Sequence, residues 1–288
     1  MIARLLFYGF IKPLSWLPLP VLYLLSDLIY GFSFLGWSYR KNVVQSNLIK
    51  AFPAKSTKER ASIEKQFYRY FYDVLMESVR LFSMSKSEAL QRFRVVNPDI
   101  LASLANSGQS AILVGGHYTN WELFAVATDP QIPHQLLGIY TPLTNPFMER
   151  VFSASRSQFG LKLVPKRRIK ETLDSKKSDL TLTTFAIDQC PRKDQKVYWM
   201  TFLGQPTAVH FGAEKYAREY EYPVIYGSSK LVKRGYYELT LELLVENPNA
   251  TEEGEITEAH TRRLEKQILE NPAYWLWTHK RWKLKPEQ

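Results

Sequence analysis

The sequence predicts an α/β fold in which a mixed central sheet is flanked by helices, with a membrane-associated helix at the N-terminus. Three observations predict this class. Apolar runs alternate with helical stretches beyond residue 108, an amphipathic pattern covers residues 57–82, and residues 1–40 are strongly apolar. The hydrophobic content of 45% excludes a disordered chain. The mean hydropathy of −0.27 excludes a polytopic membrane protein.

The N-terminal segment predicts membrane contact. The only charge between Pro13 and Tyr39 is Asp27, and the apolar stretch from Leu14 to Trp37 is long enough to cross a bilayer. Its aromatic residues are typical of a membrane–water boundary: Trp16, Tyr23, Tyr30, Trp37 and Tyr39. Basic residues at both ends leave a spanning helix and a shallow interfacial helix open, and a buried core helix is the alternative. We therefore divide the chain into an anchor at residues 1–40 and one α/β domain at residues 41–288.

The elements of this domain follow from local signals. Residues 42–53 predict a helix that ends at a proline, and Ser56 with Glu59 has the spacing of a capping box before a helix over residues 57–82. Further helices are predicted at 120–128, 146–159, 206–220 and 255–270. Strands are predicted at 110–114, 135–140, 161–164, 180–187, 197–203, 223–228 and 236–244.

The charge and the cysteine content limit the possible partners. The formal net charge of +10 is compatible with nucleic acid, an anionic membrane or an acidic protein. The densest basic run is either solvated surface or a contact for such a partner, and it comprises Lys162, Lys166, Arg167, Arg168 and Lys170. Cys190 is the single cysteine, which excludes a disulfide scaffold and a multi-cysteine zinc site.

Candidate catalytic residues follow the first strand after residue 108. Gly115 and Gly116 allow a tight turn, and His117 then lies at the carboxyl end of a strand, where open α/β sheets bind ligands. Glu122 falls in the first turn of the next helix, so the chain can fold back and pair the two side chains. A carboxylate on one imidazole nitrogen fixes the tautomer while the other nitrogen takes a proton. The alternative is a structural histidine at a turn. No metal site is predicted, because no second His or Cys lies at ligand spacing.

The segment at residues 116–123, GHYTNWEL, resembles the G-H-[FY]-G-N-W-E-L block of the late lipid A acyltransferases. These enzymes belong to the wider His-x4-Asp/Glu lysophospholipid acyltransferase group. Further blocks of the family follow in order between residues 40 and 283. They are Asn47-Leu48 with Ala51-Phe52-Pro53, Tyr140-x-Pro142 with Asn145-Pro146, Asp188-Gln189, Phe202-Leu203-Gly204 with Pro206-Thr207, and Trp275-Leu276-Trp277-x-His279-x-Arg281-Trp282-Lys283.

This resemblance implies an enzyme that moves a fatty acyl chain from acyl carrier protein to a hydroxyl of a lipid A precursor. His117 would be the general base on that hydroxyl and Glu122 would orient it, with no metal, nucleotide or other cofactor. The implied location is the cytoplasmic side of the bacterial inner membrane, with residues 41–288 as the catalytic domain. The implied partners are acyl carrier protein, anionic membrane lipid and the lipid A precursor. Nucleic acid is not expected, because no recognition motif is visible.

The resemblance also implies substrate-binding roles for Asn120, Tyr140, Asn145, Asp188, Gln189, Arg281 and Lys283. For Asp188 and Gln189 a capping or turn role is the alternative. Two residues depart from the family pattern, since Thr119 replaces a glycine and Thr141 replaces a basic residue. Arg150 is the candidate that takes over the oxyanion or phosphate contact of that basic residue. The departures leave open another acceptor, such as a lyso-phospholipid, an aminolipid or a glycolipid. A non-catalytic membrane-binding protein on the same scaffold is the third hypothesis.

Overall fold

The computed structural model describes residues 1–33 and 38–286 and is built around a seven-stranded mixed sheet. Its strands are β1 (Phe93–Val95), β2 (Ala111–Gly115), β3 (Gln135–Tyr140), β4 (Lys162–Pro165), β5 (Thr181–Ala186), β8 (Val224–Lys233) and β9 (Tyr236–Val245), while β6 (Val197–Phe202) and β7 (Gln205–His210) form a separate hairpin. The order across the sheet is β1-β9-β8-β2-β5-β3-β4, and of these neighbours only β8 and β9 are antiparallel. The predicted α/β class with a mixed sheet is confirmed.

Helices cover both faces of this sheet. They are α1 (Ile2–Ser15, with a π-helical turn at Phe7–Ile11), α2 (Leu19–Phe32), α3 (Lys41–Ala51), α4 (Thr57–Arg80), α5 (Lys86–Arg92), α6 (Asp99–Asn106), α7 (Trp121–Ala127), α8 (Pro146–Arg156), α9 (Ile169–Ser175), α10 (Gly212–Tyr220) and α11 (Glu255–Glu270). Strand β2 alternates between the two sides of the core. Leu113 packs into one buried cluster, and Ile112 and Val114 pack into the other. The predicted capping box is present at the start of α4, between Ser56 and Glu59.

The predicted helix at 206–220 is wrong in its first part, because residues 205–210 form strand β7. Leu203 and Gly204 both have positive φ angles, of 50° and 71°, and this two-residue turn folds β7 back onto β6. The helix begins only at Gly212. This correction brings His210, the last residue of β7, towards the sheet edge that carries the site.

The N-terminal segment is a bent pair of helices packed on the body of the protein. Helices α1 and α2 are bent by 119° at a break before Pro18. Among the described residues no single helix has the length and apolar composition of a membrane span, although the two together do. Residues 34–37, which include the predicted boundary residue Trp37, lie outside the described part of the chain.

Polar contacts fasten α2 to α4. The Ser26 hydroxyl donates to Asp73 Oδ1 at 2.6 Å, and the Arg234 guanidinium bridges Asp73 and Asp27. Asp73 is buried, so its negative charge is matched inside the packed region. The apolar segment is therefore bound to the body of the protein by charge as well as by packing.

Candidate active site

The site lies where β2 and β5 end side by side. These two parallel strands pair Gly115 with Ala186, so the residues two positions further on, His117 and Asp188, leave the sheet together. Gly116 makes this approach possible, because a Cβ atom there would lie 3.2 Å from Asp188 Oδ2 and 2.8 Å from a methyl group of Leu264. The carboxyl edge of the sheet thus presents an imidazole beside a carboxylate.

Asp188 holds the histidine through two hydrogen bonds. Asp188 Oδ1 lies 2.7 Å from His117 Nδ1, and Asp188 Oδ2 accepts the His117 backbone N–H at 2.7 Å. The Trp275 indole N–H donates to the same Oδ2 at 2.9 Å. With Nδ1 donating its proton to the carboxylate, the His117 Nε2 lone pair faces outward. Gln189 Nε2 lies 3.3 Å from that nitrogen.

The electrostatics of this pair favour the imidazolium–carboxylate form. Burial works to lower the pKa of His117, but the charge of Asp188 and its hydrogen bond outweigh burial and raise that pKa above its ordinary value. Burial works to raise the pKa of Asp188, yet the His117 charge and the bonds from His117 and Trp275 bring that pKa well below its usual range. The carboxylate therefore stays ionised while the imidazole gains or loses a proton.

The prediction that Glu122 orients His117 is corrected by this geometry. Glu122 instead forms a two-pronged ion pair with Arg156, whose Nε and Nη2 donate to its carboxylate at 2.8 and 2.6 Å. The cause is the helix start, because Glu122 projects from the first turn of α7 towards the end of α8. The Glu122 charge still acts on His117 and contributes to its raised pKa, after the contribution of Asp188.

The prediction for Arg150 is corrected in the same way. Arg150 is exposed, and its guanidinium carbon lies 6.0 Å from the centre of the Phe147 ring. Six residues along a helix correspond to about 240° of rotation, so Arg150 and Arg156 project from different sides of α8. Of these two arginines it is Arg156 that lines the cavity, and no pattern in the sequence distinguishes it.

A cavity of about 570 Å³ opens beside His117, a size within the range of small-molecule binding sites. Its apolar wall consists of Phe124, Ala125, Ile139, Leu161, Leu163, Ile169 and Phe185. Its polar lining includes His117, Glu122, Tyr140, Thr141, Arg156 and Gln189. Lys166, Lys196 and Lys215 bring positive charge to the lining, and the uncharged side chains of Gln195 and His210 complete it. The cavity can hold an apolar chain next to a proton acceptor and a guanidinium.

Of the five other predicted substrate-binding residues, one lines the cavity and four do not. Tyr140 lines the cavity, and its hydroxyl donates to Glu149 at 2.7 Å. Asn120 is buried away from the cavity lining, and Asn145 is an exposed cap that accepts the N–H groups of residues 147 and 148 at 3.1 Å. Arg281 is buried with its Nε and Nη1 lacking a hydrogen-bond partner among the described residues. Lys283 is exposed and does not line the cavity.

The turn that carries His117 contains a strained residue. Thr119 is buried with a φ of 54°, a conformation that costs a non-glycine residue about 1–3 kcal/mol. Its N–H donates to the Tyr274 carbonyl at 3.0 Å, and its hydroxyl bonds the Ser229 hydroxyl. The glycine of the family pattern would adopt this φ without strain. Here the surrounding contacts hold the threonine in place.

The chain is similar in sequence to a group of known proteins. The family model described as bacterial lipid A biosynthesis acyltransferase matches residues 2–284. The lipid A biosynthesis palmitoleoyltransferase of Escherichia coli K12 is 23% identical over 276 residues, covering 94% of this chain and 87% of the relative. The lipid A biosynthesis lauroyltransferase of the same organism is 23% identical over 275 residues, covering 94% and 88%. A lipid A biosynthesis acyltransferase of Haemophilus influenzae is 20% identical over 282 residues, covering 94% and 87%.

The contact between Asp188 and His117 generates a prediction about proton affinity. Asp188→Asn removes the negative charge but keeps the side-chain shape, so burial then dominates and the pKa of His117 falls. An NMR titration of the His117 ring measures this pKa, with the resonance assigned from a His117→Gln variant. Glu122→Gln serves as the comparison and lowers that pKa less, because its carboxylate does not hydrogen-bond the ring. Equal pKa changes in the two variants would contradict the assignment of Asp188 as the partner.

Proposed function

Because the chain belongs to the bacterial lipid A biosynthesis acyltransferase family, we propose that it transfers a fatty acyl chain from acyl carrier protein to a hydroxyl of a lipid A precursor. The observation that carries the proposal is the His117–Asp188 pair at the wall of a partly apolar cavity. An imidazole with one nitrogen held by a carboxylate suits the deprotonation of an alcohol. An apolar cavity beside it suits the acyl chain.

In the proposed reaction His117 Nε2 takes the proton of the acceptor hydroxyl as its oxygen attacks the thioester carbonyl. Asp188 stabilises the imidazolium that forms, because it accepts the Nδ1–H throughout. The C–O bond of the new ester forms, the C–S bond breaks, and the proton passes from His117 to the departing thiolate. In the structure the Gln189 amide lies next to His117 Nε2. In the proposed reaction the acceptor hydroxyl takes this position.

Arg156 supplies the charge that this reaction needs on the carbonyl oxygen. Two of its five N–H groups donate to Glu122, which fixes the guanidinium plane and leaves the others to face an anion in the cavity. The role of Glu122 in this scheme is to orient Arg156 rather than His117. In this scheme each carboxylate holds one reactive group in place. Glu122 holds the Arg156 guanidinium, and Asp188 holds the His117 imidazole.

The cavity lining suits an acidic donor protein. Lys166, Lys196 and Lys215 contribute to it, and acyl carrier protein is strongly acidic. Within the basic run noted in the sequence, Arg168 and Lys170 pair with Glu171 and Glu219. Lys166 is the member of that run that lines the cavity. Lys196 also pairs with an acidic residue, Glu253, so we assign the donor contact to Lys166 and Lys215 rather than to the run as a whole.

The N-terminal surface supports the proposed membrane location. Twelve of the 21 exposed large hydrophobic side chains in the described chain lie within the first 32 residues. An apolar surface of this kind is typical of a membrane or protein contact. Helix α1 also packs on α8, with the rings of Phe7 and Phe147 at 5.8 Å, so this surface adjoins the helix that carries Arg156.

We propose that α1 and α2 lie in the surface of the inner membrane on its cytoplasmic side. One face of α2 is fastened to α4, and the opposite face exposes Leu24 and Leu28. This arrangement suits a shallow, interfacial position, in which the lipid acceptor reaches the cavity from the adjoining leaflet.

A second acceptor class is kept because of Thr141. It lines the cavity where the family pattern has a basic residue, so the contact with the acceptor differs at that position. A lyso-phospholipid is the competing acceptor that tests this. The lipid profile of a deletion strain separates the two functions, since unchanged lipid A acylation would favour the second.

The first test is acyl transfer itself. Purified protein with acyl-acyl carrier protein and a lipid A precursor is expected to yield an acylated product, and His117→Gln lowers the rate at least about 100-fold. The rate falls as the pH drops through the raised pKa of His117, because the protonated ring cannot act as a base. In Asp188→Asn this acid limb moves to lower pH. Full activity of His117→Gln, or a rate independent of pH, would refute the mechanism.

The second test compares two arginines on one helix. Arg156→Gln is expected to lower kcat by about 100-fold, the cost of losing one donor to an oxyanion. Arg150→Gln is the matched control and leaves kcat unchanged, because Arg150 does not line the cavity. Steady-state kinetics of both variants decide the matter. The assignment fails if the Arg150 variant loses activity and the Arg156 variant keeps it.

The third test concerns the membrane surface. The double substitution Leu24→Glu and Leu28→Glu is expected to weaken binding to phosphatidylglycerol vesicles by about 3 kcal/mol, roughly a hundredfold. The reason is that two leucine side chains no longer insert into the lipid. Leu269→Glu, an equally exposed leucine on α11, is the control and leaves binding unchanged. Vesicle co-sedimentation measures the partition. Undiminished binding of the double variant would show that this face does not enter the membrane.

A further inference from the structure

A buried glutamate lies behind the turn that carries His117. Glu77, near the end of α4, is 3% exposed, and its carboxylate accepts three hydrogen bonds. Oε2 accepts from Asn120 Nδ2 at 2.6 Å and from the Tyr237 hydroxyl at 2.7 Å. Oε1 accepts from the Tyr23 hydroxyl at 2.7 Å. The donors come from three different places in the chain: the helix cap of α7, strand β9 and the N-terminal helix α2.

Asn120 connects this carboxylate to the site. Its Oδ1 accepts the Leu123 N–H at 2.8 Å and so caps α7, while its Nδ2 donates to Glu77. A flipped amide would place Oδ1 against the carboxylate and Nδ2 against the Leu123 N–H, and both contacts would be repulsive. Glu77 therefore fixes the orientation of the Asn120 amide. That orientation fixes where α7 begins.

The position of this helix start matters for the cavity. Trp121 and Glu122, the first residues of α7, line the cavity, and Glu122 holds Arg156. Thr119, immediately before the cap, has a positive φ that only surrounding contacts maintain. Because surrounding contacts hold this strain in place, we expect the turn to relax when one of them is removed. On the side of Thr119 that leads into α7, the bond between Asn120 and Glu77 is one of these contacts.

We propose that Glu77 is a positioning residue for the acyl transfer. It holds Asn120, and through Asn120 it sets the start of α7 and the place of the Glu122–Arg156 pair. Its third partner, Tyr23, belongs to the N-terminal helix, so the seating of that helix contributes to the order of the catalytic turn. The proposal rests on the proposed acyltransferase function, and Glu77 itself touches no substrate.

The test uses the full-length protein and two substitutions of graded severity. Glu77→Gln keeps the volume but brings an amide donor to a site that presents donors, so the Asn120 amide loses its fixed orientation. We expect kcat to fall about tenfold or more with little change in KM, as for a group displaced by a fraction of an ångström. Tyr23→Phe removes one donor, leaves Glu77 in place, and lowers kcat less.

Tyr68→Phe is the matched control. Tyr68 lies on α4 like Glu77, is buried, and donates its hydroxyl to the Tyr39 carbonyl at 2.9 Å. Its removal costs a hydrogen bond of the same kind away from Asn120. We expect a comparable loss of thermal stability and an unchanged kcat. A Tyr23→Phe variant whose kcat equals that of this control would remove the N-terminal helix from the proposal.

A second measurement separates this proposal from the proposed reaction. Hydrogen exchange of the segment 118–126 reports the cap directly, because the Leu123 N–H loses protection when Asn120 no longer accepts it. Faster exchange in Glu77→Gln, but not in Tyr68→Phe, supports the positioning role even if the wild type transfers no acyl chain, and only the proposed reaction then fails. Wild-type exchange in Glu77→Gln, or wild-type kcat in an active enzyme, overturns the proposal. If Glu77→Gln does not fold, Tyr23→Phe carries both measurements, and exchange and kcat equal to those of Tyr68→Phe then overturn the whole proposal.

Discussion

The rest of the site depends on the Asp188 carboxylate. It is buried, and its acceptor positions are filled by the His117 ring, the His117 backbone and the Trp275 indole. These donors come from the end of β2 and from the C-terminal segment, while Asp188 itself ends β5, so one side chain ties three parts of the chain together. The C-terminal segment is anchored in turn, since Asn47 on α3 donates to the carbonyls of Trp277 and His279 at 2.8 Å. The side chain that holds His117 therefore also acts as a structural junction.

The two carboxylates at this site have different surroundings and different partners. Asp188 is buried and stays ionised beside a histidine whose pKa is raised, which suits a partner of a proton acceptor. Glu122 is engaged by the planar fork of Arg156, and that pair lies at the cavity surface. The separation matters chemically, because a carboxylate shared between His117 and Arg156 would have its charge neutralised by the arginine. Each partner therefore keeps its own carboxylate, and the Glu122–Arg156 pair acts on the pKa of His117 only through charge, with Glu122 raising that pKa and Arg156 lowering it.

The sequence was informative about elements and strand ends, and less so about which ends meet. The strand before His117 and the strand before Asp188 are both predicted, His117 is placed at the ligand edge, and Asp188 is among the expected substrate-binding residues. Whether β5 lies next to β2 depends on the order of seven strands, which no local pattern contains. Without that order, the sequence predicts the carboxylate five residues further on, Glu122, as the partner of His117. The structure pairs His117 with Asp188, which lies 71 residues away in the sequence. Arg156 is not predicted for a related reason. Only the rotation of α8 about its own axis decides which of its arginines faces the cavity.

The N-terminal segment shows how composition and contacts can divide a chain differently. By composition, residues 1–40 stand apart as an apolar anchor. By contacts, α2 belongs to the catalytic body, because Arg234 bridges Asp27 and Asp73, and because Tyr23 donates to Glu77. Polar bonds of this kind have fixed directions, so they hold α2 in one orientation where apolar packing alone would allow sliding. The apolar face that is left exposed is therefore fixed relative to the cavity. Any membrane that binds this face meets His117 at a constant depth and angle.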